Sequence, residues 1–233
     1  MSTHLVIAVD GPSGSGKSSV SRAAARALGV GYLDTGAMYR AVTWWCLEQG
    51  VDLADRQAVE QATRELPLEM GTDPAHPSVL VGGREIEHEI RTTRVSEVVS
   101  QVATNTAVRP ILQRLQRELI EQIAGSTGGV VAEGRDITTV VAPDADVRVL
   151  LTASVDARLR RRSTELHGEA DRAAMEATRD QIVRRDADDS TVSQFTRAAD
   201  GVVLLDTSDL DFAESVEALL AVVRRTAPDK VPA

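Results

Sequence analysis

Aromatic residues are scarce in this chain of 233 residues, at 3% of the total. Its core must therefore be filled by Val, Leu, Ile and Ala. Cysteine occurs once, as Cys46, which excludes an intrachain disulfide and a cysteine-clustered metal site. Asparagine also occurs once, as Asn105, followed by Thr106 and Ala107. The N-K-x-D element with which guanine-specific switch proteins read their base therefore cannot be present. No apolar run approaches membrane-spanning length, and residues 1–20 lack the charged and apolar regions of a secretion signal. Positive charge is in deficit: the formal net charge is −9 and the sequence pI about 5.0. That balance argues against non-specific nucleic-acid or anionic-membrane binding. The expectation is a cytoplasmic protein with neither nucleic acid nor membrane as partner, in which any anionic ligand needs arginines gathered locally.

What is present starts at residue 11. Gly11, Pro12, Ser13, Gly14, Ser15, Gly16, Lys17 and Ser18 fit G-x-x-x-x-G-K-[ST] throughout. An apolar run, Leu5 to Val9, precedes this stretch, and a helical stretch from Ser19 to Leu28 follows. Strand, glycine-rich turn and helix are the context a phosphate loop requires. Its backbone N–H groups turn inward around a polyanion, and the helix N-terminus adds partial positive charge. Lys17 then reaches the β- and γ-phosphates, and the Ser18 hydroxyl is a Mg²⁺ ligand. A dinucleotide-binding loop fits less well, because Ser19 stands where a third glycine is needed.

Apolar strands recur at 5–9, 30–33, 129–132, 147–151 and 202–205, separated by helical patterns. This alternation predicts an α/β fold with a five-stranded parallel sheet. Two strand ends deliver polar residues where open α/β sheets hold ligands. One carries Asp34-Thr35-Gly36 followed by Tyr39 and Arg40, although a capped helix start with Arg40 on its solvated face fits equally. The other carries Glu133-Gly134-Arg135-Asp136. Residues 67–90 interrupt the alternation: Ser78–Val81 and Arg84–Glu87 flank Gly82-Gly83, a hairpin signal. A helix is predicted from Thr93 to Thr104, with Val95, Val98, Val99 and Val102 as its buried stripe, and another from Arg109 to Ala124. Beyond the fourth strand, Val155, Leu159 and Leu166 share a helix face, which points Arg160 and Arg161 away from it. Another helix is expected from Ala173 to Arg185, and fraying from Thr226.

Arginines recur where a second anionic substrate would lie: Arg40, Arg135, the 158–162 cluster and Arg185. Two phosphorylated substrates meeting end to end repel one another and need such a clamp. When the acceptor is itself a phosphate, its oxygen is already an anionic nucleophile. No general base is then required, and catalysis becomes positioning and charge neutralisation.

Five stretches in order resemble the bacterial cytidylate kinase family: Asp34 to Arg40, Glu89 to Thr92, Ser100 to Ala103, Glu133 to Asp136, and Arg185-Asp186. The likeness runs from about Leu5 to Val223 and includes the hairpin segment. It implies a three-layer P-loop NTPase fold with the parallel sheet, an inserted nucleoside-monophosphate-binding part over 36–108 containing a small antiparallel sheet at 67–90, and a short helical lid over 153–170. A single domain would span 1–226, with a flexible tail over 227–233. The implied reaction transfers the γ-phosphate of ATP to CMP or dCMP, with Mg²⁺ as cofactor and a monomer as the working form. Gly11 to Ser19 would bind ATP. Thr35, Arg40 and Arg135 would hold the CMP phosphate beside Tyr39. Ser100, Arg109 and Asp136 would face the cytosine, with Glu133 on the same side. Arg185 would meet phosphate and Asp189 the sugar. Lys17, Arg158, Arg161, Arg162 and Arg185 would be catalytic. Three departures from the family pattern stand out: Val192 where an arginine is usual, for which Arg197 could substitute, Glu133 for aspartate, and Thr138 for glycine. The alternatives are a P-loop kinase for a small hydroxyl metabolite such as shikimate, and a non-enzymatic nucleotide-gated binding protein.

Overall fold

The five apolar runs pair as one parallel sheet in the order β2-β6-β1-β7-β8, comprising β1 (Leu5–Asp10), β2 (Gly31–Asp34), β6 (Gly129–Gly134), β7 (Val147–Thr152) and β8 (Val203–Asp206). The computed structural model describes residues 4–167, 179 and 186–231. Strand parity sorts the side chains into two cores. Ala8, Leu33, Val130 and Ala132 face α2 (Thr35–Glu48) and α6 (Val108–Thr127), where they meet Met38, Val42 and Leu112. Ile7, Val9, Val131, Val149 and Leu151 face α1 (Lys17–Leu28) and α8 (Phe212–Thr226), meeting Val20, Ala24, Leu219 and Val223. Each such aliphatic side chain contributes about 1.5–3 kcal/mol of transfer free energy when fully buried. Without large aromatics, the sheet is held by many such increments.

Helix ends are fixed by local chemistry. The Asp34 carboxylate accepts the Ala37 N–H and starts α2, and Asp211 with Glu214 forms a reciprocal capping box at the start of α8. The stretch from Ala227, expected to fray, makes a 3₁₀ turn at Pro228–Lys230, with Lys230 Nζ 2.7 Å from an Asp146 carboxylate oxygen.

After α3 (Arg56–Glu65), the inserted sheet has three strands rather than two. β3 (Leu68–Met70) pairs antiparallel with β4 (Val79–Val81), which pairs with β5 (Arg84–Glu85) across Gly82-Gly83. Val79, Val81, Ile86, Ile90 and Val95 pack on Ala37, Ala41 and Trp44 of α2 as a third cluster. The helix predicted over 93–104 is broken into α4 (Thr93–Ser96) and α5 (Val99–Ala103). Val95 belongs to the inserted cluster, whereas Val99 and Val102 belong to the main core. A straight helix does not serve both, so the chain bends at 97–98.

α7 (Val155–His167) follows β7. Its orientation differs from the expected one: Val155 is 42% exposed, while Ala157, Leu159 and Ser163 are buried. Arg161 turns inward with them, because the backbone oxygens at the sheet's end offer its guanidinium more than solvent-side packing offers Val155. The helix expected from Ala173 to Arg185 lies outside the described residues, apart from Arg179. Among the described residues, no helix is long and apolar enough to cross a membrane.

Candidate active site

Three strand ends converge on one cavity of about 220 Å³. β1 ends at Asp10 and releases the loop from Gly11, in which Gly14 has φ 74° and Gly16 φ 89°. Only glycine holds these values without strain, and they turn the loop into the N-terminus of α1. At Gly14 a Cβ would also come within 2.9 Å of the Arg158 carbonyl. β2 and β6 are register neighbours, so Asp34 lies beside Glu133, and Thr35 Oγ1 donates to the Glu133 carbonyl at 2.8 Å.

Of the expected donor-side residues, Ser13, Gly14, Gly16, Lys17, Ser18 and Ser19 line the cavity, whereas Gly11, Pro12 and Ser15 shape the loop behind it. Of the expected acceptor-side residues, Thr35, Tyr39, Arg40, Arg109, Glu133, Arg135, Asp136 and Asp189 line it as well. Arg40 is buried and donates to the Ile90 carbonyl and Ser96 Oγ at 2.9 and 3.0 Å. A solvated position for it is thereby excluded. Arg109 binds Asp136 at 2.6 Å and Ser193 Oγ at 3.0 Å, and Gln113 donates to the same Asp136 oxygen at 2.8 Å.

Two expected placements differ. Glu133 does not face the acceptor side. Strand alternation puts it on the same face as Val131, toward α1, where Oε1 accepts from Ser18 Oγ at 2.7 Å and Tyr32 OH at 3.2 Å. Its Oε2 lies 3.6 Å from Lys17 Nζ. Burial pushes the Glu133 carboxyl up to about 7, with the Asp34 charge adding to the effect and Lys17 opposing it. Ser100 does not reach the cavity: Val99 and Ala103 of α5 line it instead, and Ser100 lines a second groove with Thr104, Asp188 and Val192. Arg197 is exposed and does not line the cavity. Arg185 and the side chain of Arg162 lie outside the described residues.

Sequence reasoning gave no role to Arg91, Asp34 or Asp186. Arg91 lines the cavity and binds Asp34 at 3.1 Å and Glu87 at 2.6 Å. Burial alone would raise the Asp34 carboxyl, but Arg91 and the Ala37 N–H outweigh it and hold it below the usual range. Asp186 accepts from the Ser13 N–H at 3.0 Å, from Arg135 at 3.0 Å, and from Arg158. Here too burial pushes the carboxyl up, and Arg135, the Ser13 N–H and Arg158 together pull it below its ordinary value. Arg135 is the hub: it also donates to Ser13 Oγ at 2.6 Å, pairs with Asp189 at 2.9 Å, and stacks on Phe195 at 4.3 Å. Asp189 Oδ1 is buried with no hydrogen-bond partner among the described residues. Arg161 donates to the Ser15 carbonyl at 2.9 Å, to Thr207 Oγ1 and O at 3.1 and 2.6 Å, and to the Leu210 carbonyl at 3.1 Å.

The cavity thus joins a polyanion cradle to a group of arginines, of which Arg91, Arg109 and Arg135 are paired with carboxylates. Ser18 Oγ and Glu133 Oε1 supply two hard oxygen donors side by side at the loop, the chemistry a magnesium ion takes. Among the described residues, no cluster of three His, Cys, Asp or Glu side chains could hold a metal.

A family model described as cytidylate kinase matches residues 7–225. A cytidylate kinase of Rhodococcus opacus (strain B4) is 50% identical over 226 residues, covering 96% of this chain and 96% of the relative. A cytidylate kinase of Streptomyces griseus subsp. griseus is 44% identical over 222 residues, covering 95% of this chain and 93% of the relative.

Proposed function

This chain belongs to the cytidylate kinase family, a phosphotransferase family, and from that premise we propose how its own residues divide the reaction. ATP is the phosphoryl donor and CMP or dCMP the acceptor. The Gly11–Ser18 loop cradles the donor phosphates, and Lys17 neutralises charge on the group in transit. Ser18 and Glu133 would hold Mg²⁺, which would supply charge neutralisation to the donor phosphates. Thr35, Arg40 and Arg135 bind the acceptor phosphate, with Tyr39 beside it. Arg109 and Asp136 read the cytosine, and Asp189 takes the sugar. The acceptor's phosphate oxygen is an anionic nucleophile, so no side chain is needed as general base.

One observation carries this reading. Arg135, on the acceptor side, already touches the donor loop through Ser13 Oγ at 2.6 Å. Two phosphates bound by these partners would meet at that arginine. Asp186 and Asp189 neutralise it when no substrate is present, and an incoming phosphate replaces them. The whole-chain likeness to cytidylate kinases favours this reading over a kinase for a small hydroxyl metabolite and over a nucleotide-gated binding protein. We take a cytoplasmic monomer as the working form, which sedimentation at working concentration tests as a mass of 25.0 kDa.

A coupled assay with Mg-ATP and a panel of nucleoside monophosphates tests the reading. CMP and dCMP should lead, with UMP behind and the purine nucleotides poor. Equal turnover across the panel would remove it.

A further inference from the structure

Asp10 is the last residue of β1, and the phosphate loop begins at the next position. It is 1% exposed, and its carboxylate hydrogen-bonds away from that loop. Oδ1 accepts the Ile137 N–H at 2.9 Å, and Oδ2 accepts the Thr138 N–H at 2.9 Å and the Thr138 hydroxyl at 2.6 Å. All three donors belong to the turn that follows β6.

The sheet register gives these bonds their meaning. Asp10 is the ladder partner of Gly134, the last residue of β6. Beyond Gly134 the chain leaves the sheet, and Arg135 and Asp136 follow. It is caught again at Ile137 and Thr138 by Asp10. The two residues that face the acceptor therefore form a short span pinned at both ends by one residue of β1. That residue is also joined covalently to the donor loop.

We propose that Asp10 is a positioning residue for phosphoryl transfer, setting the place of Arg135 and Asp136 relative to the phosphate loop. The proposal rests on the reading of Arg135 and Asp136 as acceptor ligands. Asp10 touches neither substrate. Its side chain suits the task because a carboxylate accepts on both oxygens and donates on neither. Asparagine of the same shape would turn an amide N–H₂ toward either Ile137 N–H or the Thr138 pair, leaving two donors face to face. Small errors in this span matter, since transfer needs the reacting atoms held within a few tenths of an ångström.

The test compares Thr138→Val, Thr138→Ser and Asp10→Asn with the parent enzyme by steady-state kinetics, well below the melting temperature of each. Thr138→Val removes the hydroxyl at nearly constant shape. It should raise KM for CMP roughly fivefold to tenfold, the effect of one lost buried hydrogen bond. It should lower the CMP over UMP ratio of kcat/KM and leave KM for ATP within twofold. Thr138→Ser should restore both values. Asp10→Asn should move them further in the same direction, and if it does not fold, the Thr138 pair still decides. A Thr138→Val enzyme that melts earlier but keeps the parent KM for CMP and the parent ratio overturns the proposal. So does an equal rise in KM for ATP and CMP. Asp136→Ala is measured alongside. If it leaves the CMP over UMP ratio unchanged, the acceptor reading fails and the proposal with it. If it shifts the ratio while Thr138→Val does not, only the positioning role fails.

Discussion

Lys17 and Asp136 both line the cavity, and their substitutions should fail differently. Lys17 lies 3.6 Å from the buried Glu133 carboxylate and lines the cavity. Lys17→Ala should cut turnover by roughly 10²-fold at saturating ATP and CMP, as for loss of one strong electrostatic donor. Near-parental turnover of the purified variant would mean that the loop is not the catalytic cradle. Asp136, fixed by Arg109 and Gln113, can accept from the N4 amino group of cytosine but repels O4 of uracil. A mismatched buried group costs about 1–3 kcal/mol. Asp136→Ala should therefore lower the CMP over UMP ratio of specificity constants, whereas a proportional loss on both would leave Asp136 as a mere orienter of Arg109. Asp10 carries a pH signature of its own. Burial pushes its carboxyl up to about 6 against the Thr138 and Ile137 hydrogen bonds, with the Asp136 charge adding to the rise. The folded state then holds a proton that the unfolded state, at the ordinary carboxylate value of 3.8, has released. Stability from this group is therefore greatest at low pH and falls as pH rises from about 4 to about 6, by up to about 3 kcal/mol. Asp10→Asn lacks this slope, so the stability difference between parent and variant, from urea titrations at pH 5 and pH 7, should change sharply between the two. A constant difference would show that Asp10 titrates normally. At this scale the sequence disclosed residue types at strand ends. It could not disclose which face Glu133 took, since that required the register of β6 against β1 and β2.

Among the elements, α7 departs furthest from its pattern. The apolar spacing of Val155, Leu159 and Leu166 set Arg161 off their shared face, either solvated or, beside a phosphate loop, as part of a phosphate clamp. The helix directs Arg158 and Arg161, one turn apart, toward the phosphate loop. Arg158 meets Asp186 and the Ser13 carbonyl, and Arg161 ties Ser15 to Thr207 and Leu210. Four arginines within five residues hide such a choice, because every rotation of the helix exposes some and turns others in. Arg161→Ala should loosen the loop from Thr207 to Leu210 together with the cradle, raising KM for ATP more than KM for CMP. Equal effects on both constants would make Arg161 an ordinary brace. The five strands of the parallel sheet were legible, since central parallel strands are apolar on both faces and leave little ambiguity, whereas the short β3 of the inserted sheet was not. The break at 97–98 was not, because one valine stripe served two different cores.

For the whole molecule, the anionic chain pairs Arg91, Arg109 and Arg135 of the cavity with carboxylates, so in the proposed reaction substrate binding would trade internal carboxylates for phosphates. Ligand that binds only the folded form stabilises it by about 2.7 kcal/mol at a hundredfold excess over Kd. For a chain of this size that is a rise in Tm of roughly 5–10 °C. CMP should give such a rise in calorimetry and UMP a smaller one at equal concentration; indistinguishable shifts would remove base discrimination from the folded, ATP-free enzyme. The composition bounded this much from the start: an acidic chain with few aromatics had to bury aliphatic side chains and gather its positive charge locally. It did not reveal how the inserted sheet is attached. α2 carries Met38, Val42 and Cys46 into the main core and Ala37, Ala41 and Trp44 into the inserted one. The same helix begins with Thr35, Tyr39 and Arg40. The small sheet is therefore no transplantable module. Excising 67–90 would strip the cover from Trp44 and leave a sticky apolar strip beside the cavity, and grafting those residues onto another kinase without α2 would give them nothing to fold against. Any exchange of acceptor specificity between related enzymes has to move the helix and the sheet as one piece.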